Sequence, residues 1–154
     1  MKKIQIKDFG TTRNGRKCHL YIMENDHGDR VGLTEFGAAL VFWQVKDGDE
    51  VRDIVLGYDE LSSYEKNDGN LGAVCGPYAN RIRYGEFRLN DQFYRIPKDS
   101  EHVCHSGDGG FQNRVWSCDE SRDGRVSFSY RAAAKECGFP GNRKVKVSYS
   151  LTEE

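Results

Sequence analysis

The segment SEHVCHSGDGGFQNRVW, residues 100–116, concentrates the side chains best able to do chemistry. His102, Cys104 and His105 stand within four residues, directly before a loop carrying Gly107, Gly109 and Gly110. Imidazole and thiolate suit zinc, but three ligands this close crowd one another and no second cluster supplies a fourth. The glycines could cradle a phosphate. Phe111 to Trp116 reads as strand, however, so the helix N-terminus that would complete an anion site is missing. Cys104 and His105 fail as a nucleophile–base pair, because neighbours on a strand point to opposite faces. What remains is His105, one imidazole at a strand end beside a flexible loop, suited to hydrogen bonding or proton transfer near neutral pH. His19 sits in a strand pattern and His27 in a polar turn, and both read as structural or solvated.

A second stretch, GPYANRIRYGEF (76–87), sets Asn80 and Arg81 between the apolar Ala79 and Ile82, just after a Gly-Pro break. Sugar sites need planar donors for vicinal hydroxyls, amides, and aromatic faces for C–H surfaces. Guanidinium supplies fixed, directional donors. Tyr78, Phe111 and Trp116 are the candidate aromatic faces. Lone Asn-Arg pairs are common, and from the residues alone an ordinary surface turn is the favoured reading of Asn80-Arg81.

The elements that must position these groups read as strands and turns. KCHLYIME (17–24) and RVGLTEFGAALVFWQV (30–45) are rich in β-branched and aromatic residues, the second broken at Gly37 as at a bulge or corner. VRDIVLGY (51–58) follows the turn DGDE, and DELSSYEKN (59–67) is a short helix with Asp59 as its cap. EFRLNDQFYRI (86–96) is a hairpin turning at Asn90-Asp91, with Phe87, Leu89 and Phe93 alternating with polar neighbours. RVWSCDE (114–120), RVSFSYRA (125–132) and RKVKVSYSL (143–151) are three more strands. In the last, Val145, Val147, Tyr149 and Leu151 share one face, opposite Lys144, Lys146, Ser148 and Ser150. The class is all-β.

Composition sets the outer limits. The 154 residues suit one domain. The 23 basic and 24 acidic side chains leave a net charge of −1, with no single-sign run of five, so no long-range pull toward nucleic acid or an anionic membrane is expected. No apolar run approaches a membrane span, and the N-terminus lacks the apolar segment of a signal peptide. Five dispersed cysteines without a C-x-x-C read as reduced thiols, which points to the cytoplasm. The chain stops just after its cleanest strand, an ending that reads as a cut, with an edge left open.

GAVCGPYANRIRYGEFRLNDQFYRI followed by HVCHSGDGGFQNRVWS resembles the aldose 1-epimerases, the galactose mutarotases. Their pattern is Gly-x-x-Ala-Asn-Arg-Ile, a G-x-F-x-L hairpin, then His-Gly-Gly, Gly-Phe and Trp. CGFPGNRKVKVSYSL, LTEFGAALVFWQV and DIVLGYDELSSYEKN resemble further family segments, in the family's order and across nearly the whole chain. The chain departs from the pattern at Pro77 (often Arg), Cys104 (usually Leu) and Ser106 (the first Gly of His-Gly-Gly), and it lacks the Asp-Gly before GFPGN.

The resemblance implies an antiparallel β-sandwich of the galactose mutarotase type, with residues 1–154 as the N-terminal part of a single such domain, incomplete at the C-terminus. It implies interconversion of the α and β anomers of an aldohexose, galactose or glucose, by acid–base ring opening, with no cofactor and no metal. Arg81 and Asn80 match the sugar-binding pair. His105 matches the first family histidine, near the ring oxygen, and is the one catalytic residue carried over. The family's second histidine, its glutamate base and a sugar-binding aspartate fall beyond Glu154. The expectation is a chain inactive alone, with the missing C-terminal portion as its partner. A complete, non-catalytic carbohydrate-binding β-sandwich module is the alternative, and a structural or partner-binding half is a third.

Overall fold

The computed structural model describes residues 4–66, 69–97 and 101–153. Its first unit is a five-stranded antiparallel meander: β1 (Ile4–Thr11), β2 (Lys17–Glu24), β3 (Arg30–Thr34), β4 (Leu40–Asp47) and β5 (Glu50–Asp53), paired in that order. The period-2 pattern of β2 explains its two buried faces. Tyr21 and Met23 enter one core cluster, while Cys18 and Leu20 enter another on the opposite side. The second cluster is closed by a single helical turn, α1 (Leu61–Tyr64), through Leu61 and Tyr64. Its N-cap is Glu60 rather than Asp59, and no side chain caps it. Lys66 is the last described residue before 69, so the end of the expected 59–67 helix lies outside the described residues. The strand expected over 51–58 stops at Asp53.

Between the two main sheets lie two short ribbons. β6 (Arg81–Ile82) pairs with β9 (Val103–Cys104), and β7 (Glu86–Leu89) pairs with β8 (Gln92–Arg95). The hairpin turns at Asn90 (φ 49°) and Asp91 (φ 58°), both left-handed as a two-residue type I′ turn requires. Its register sets Phe87 opposite Tyr94, and Phe93 opposite Arg88. Phe93 therefore lies on the other face from Phe87 and Leu89, and it is 57% exposed.

The last unit is a three-stranded antiparallel sheet, β10 (Ser117–Arg122), β11 (Arg125–Ala132) and β12 (Arg143–Ser150). It packs face to face on the first sheet. Val126, Phe128 and Ala132 of β11 join Tyr21, Met23, Val31 and Leu33 in one cluster, with Val145, Val147 and Tyr149 of β12 against them. Tyr21 and Phe128 meet edge to face at 5.6 Å, and the Tyr149 hydroxyl donates to the Ala38 carbonyl at 2.7 Å. Each buried Phe or Leu side chain here contributes about 1.5–3 kcal/mol. Two antiparallel sheets around one apolar layer make a β-sandwich. The expected corner at Gly37 (φ 66°) joins β3 to β4. An added Cβ there would meet the Gln112 carbonyl oxygen at 2.6 Å, so glycine is what lets the corner touch the chain after the 107–110 loop. Among the described residues, no helix is long and apolar enough to cross a membrane.

Candidate functional site

β9 ends at Cys104, and the backbone then turns left-handed at His105 (φ 50°) and Ser106 (φ 66°). On the facing segment Asn80 is left-handed as well (φ 66°). Non-glycine residues adopt this conformation at a cost of about 1–2 kcal/mol each, with Asn the most tolerant, so something must hold them there. A regular ladder cannot run through such residues, and side chains take its place. The N–H of Asn80 donates to His105 Nδ1 at 3.0 Å, and the N–H of Tyr78 donates to Ser106 Oγ at 2.9 Å. The N–H of Gly76 lies 3.5 Å from Gln112 Oε1. Every second residue of the 76–80 segment is thus met by a side chain of the 105–112 loop. Return bonds close the arrangement: His105 N–H to the Asn80 carbonyl at 3.0 Å, Ser106 Oγ to the Tyr78 carbonyl at 2.9 Å, and Phe111 N–H to the Gly76 carbonyl at 2.8 Å.

The first of these bonds determines the chemistry of the imidazole. A backbone N–H can only donate, so His105 Nδ1 is the acceptor, and the neutral ring carries its proton on Nε2. His105 is half-buried, while Asn80 and Arg81 are exposed. Arg81 sits opposite Cys104 in the β6–β9 pair, one residue from both Asn80 and His105 in register. The backbones of the three expected site residues are therefore adjacent, and the His105 imidazole presents its Nε2–H.

The expected aromatic faces divide differently. Phe111 (4% exposed) and Trp116 (1%) are core residues, with the Trp116 indole N–H donating to the Phe111 carbonyl at 3.0 Å, so neither faces a ligand. Tyr78 (50%) is exposed, and so is Tyr84 (41%), which sequence reasoning passed over. The Tyr84 N–H donates to His102 Nδ1 at 3.2 Å, its ring lies 5.5 Å from that imidazole, and the Arg83 guanidinium sits 4.8 Å from its centroid. Phe111 to Asn113 is a 3₁₀ turn rather than strand, and β10 starts only at Ser117. His102 and His105 each turn Nδ1 onto a different backbone N–H, and the described residues assemble no cluster of three or more metal-ligating side chains.

Away from this site, Glu35 is a buried carboxylate that the sequence reading missed. It accepts from the His19 N–H at 2.6 Å, from His19 Nδ1 at 2.9 Å and from the Tyr21 hydroxyl at 2.7 Å. Burial pushes the Tyr21 hydroxyl pKa up, and its bond to Glu35 raises it further. The Glu35 carbonyl accepts the Trp116 N–H at 2.9 Å. This anchors the β3–β4 corner to the segment leaving the site. The available signal was an acid inside an apolar run, with His19 and Tyr21 two apart on one strand face.

Comparisons with known proteins agree with this architecture. A galactose 1-epimerase from Lactobacillus acidophilus NCFM superposes with a TM-score of 0.86 at 25% identity, over 100% of this chain and 46% of that one. The GalM/aldose epimerase homologue from C. elegans superposes at 0.78 with 27% identity, over 97% and 42%. The fold is the antiparallel β-sandwich of the galactose mutarotase type. A sequence profile of the aldose 1-epimerases matches residues 19–154, and the chain belongs to the aldose 1-epimerase family. It is 34% identical over 140 residues to the aldose 1-epimerase of Haemophilus influenzae, covering 90% of this chain and 41% of that protein. It is 36% identical over 123 residues to the galactose mutarotase of Rattus norvegicus, covering 79% and 36%. The chain thus spans about two fifths of the length of these relatives.

Proposed function

We propose that residues 1–154 form the N-terminal part of a single mutarotase-like sandwich domain and supply the sugar-holding arm of an aldose 1-epimerase. The substrate class is an aldohexose, galactose or glucose. Arg81 donates to vicinal hydroxyls, Asn80 adds an amide, and His105 presents Nε2–H toward the ring oxygen. In anomer exchange a base takes the O1 proton while the ring oxygen gains one. The C1–O5 bond opens to the aldehyde, C1 turns, and the ring closes on the other face. A preset Nε2–H hydrogen-bonds the ring oxygen as negative charge develops on it, which is where such a donor lowers the barrier. The observation that supports this reading is the reciprocal Asn80–His105 bonding, which fixes the imidazole on the backbone of the residue preceding Arg81.

No residue of this chain matches the family's glutamate base or its second histidine. Groups acting in the transition state are worth orders of magnitude in rate. The chain alone is therefore expected to mutarotate freshly dissolved α-D-galactose or α-D-glucose within a few-fold of the uncatalysed rate, followed by polarimetry. A rate like that of an intact family enzyme contradicts this reading.

A further inference from the structure

We propose that Gln112 and Ser106 are positioning residues that hold His105 in its working tautomer; this rests on the reading of His105 as the group beside the sugar ring. Both are polar and almost wholly enclosed, at 4% and 2% exposure, where an unpaired polar group would be disfavoured. Gln112 Nε2 donates to the His105 carbonyl at 2.8 Å and to the Gly107 carbonyl at 3.3 Å, while its Oε1 faces the Gly76 N–H. One amide thereby grips the backbone of His105 itself, the loop after it and the start of the opposite arm. Ser106 Oγ both accepts from and donates to the Tyr78 backbone. It ties the middle of that arm to the residue next to His105.

The two side chains act at either end of a strained unit. His105 and Ser106 are consecutive left-handed residues without glycine's freedom. Left to itself, that pair relaxes to φ below zero, which swings the His105 ring off the Asn80 N–H. Nδ1 then loses its fixed donor, and the ring is free to carry its proton on either nitrogen. Gly110 is packed for the same purpose. A Cβ there would meet Gln112 Nε2 at 2.4 Å and the His105 carbonyl oxygen at 2.5 Å, so the amide is seated against bare backbone. Gln112 and Ser106 are thus coupled to the imidazole without either being a group that touches the sugar.

The test reads the tautomer directly and needs no ligand. Two-bond ¹H–¹⁵N correlation spectra of the chain at a pH where the imidazole is neutral report which ring nitrogen carries the proton. The wild-type His105 is expected to show a single Nε2–H signature. Gln112→Glu keeps the shape but removes the donor to His105. Ser106→Ala removes the hydroxyl but leaves the left-handed strain of a non-glycine residue in place. Each is expected to give an averaged signature of both tautomers at His105, with the Trp116 indole and Phe128 signals of the core unmoved. A merely structural role leaves the Nε2–H signature intact in both variants, and that result overturns the proposal. Should Gln112→Glu fail to fold, Ser106→Ala decides alone. A sugar titration of the wild type is a separate arm. Absence of sugar-induced shifts there counts against the sugar reading, whereas the ligand-free tautomer result bears on Gln112 and Ser106 only.

Discussion

Asn80 and His105 exchange two hydrogen bonds at 3.0 Å, one between backbones and one from the Asn80 N–H to the imidazole Nδ1. The second bond means that a side chain does the work of a strand partner. Removing it should therefore be felt in the backbone. In His105→Ala the Asn80 amide is expected to exchange with solvent about five- to tenfold faster, since one such bond is worth on the order of 1 kcal/mol net. Amides of Leu33 and Val126, in the core, should not change. Hydrogen exchange followed by NMR measures this, and an unaltered Asn80 rate removes Nδ1 as the acceptor.

Stability should depend heavily on a carboxylate outside the 76–81 and 105–112 segments. Glu35→Ala leaves three donors of His19 and Tyr21 without their acceptor inside the sandwich. The expected cost is about 3–5 kcal/mol. Tyr21→Phe deletes one donor and keeps the ring against Phe128, so it should cost only about 1–2 kcal/mol. Urea denaturation compares the two. Equal losses would mean that packing rather than the carboxylate holds the β3–β4 corner.

Much of the fold was legible because a buried sheet face writes period 2 into the sequence. β2, β11 and β12 occupy the expected ranges to within a residue, and β12 alternates half-buried and exposed along its full length. Other features leave no such mark. The face of Phe93 is one of them, because parity across a hairpin depends on turn length, and the two left-handed residues at Asn90-Asp91 set Phe93 opposite Arg88. Phe111 and Trp116 looked like sugar platforms because an aromatic ring in sequence carries no statement of its burial. The residues of the site were legible only as motifs. The side chains that satisfy the arm's backbone N–H groups, His105, Ser106 and Gln112, follow no period, so the way the arm is held could not be read in advance.

Thiol reactivity should single out one cysteine. Cys104 is exposed, opposite Arg81. Cys18 is fully buried, and burial, with the Glu35 charge adding to it, pushes its thiol up to about 12. Burial likewise raises Cys75, Cys118 and Cys137. At pH 8 an alkylating reagent is expected to label Cys104 first and Cys18 only on unfolding, as read by peptide mass spectrometry. Labelling of Cys18 as fast as Cys104 would contradict the packing around β2.

The claim that matters most is that Asn80, Arg81 and His105 form one sugar-holding surface. It is tested by titrating the ¹⁵N-labelled chain with D-galactose and D-glucose and following Asn80, the Arg81 Nε–H and the His105 ring. Concentration-dependent shifts confined to these groups and their neighbours, and lost in Arg81→Ala while the core spectrum is unchanged, are the predicted result. Shifts that persist in Arg81→Ala, or that map away from the 76–81 and 105–112 segments, would contradict it.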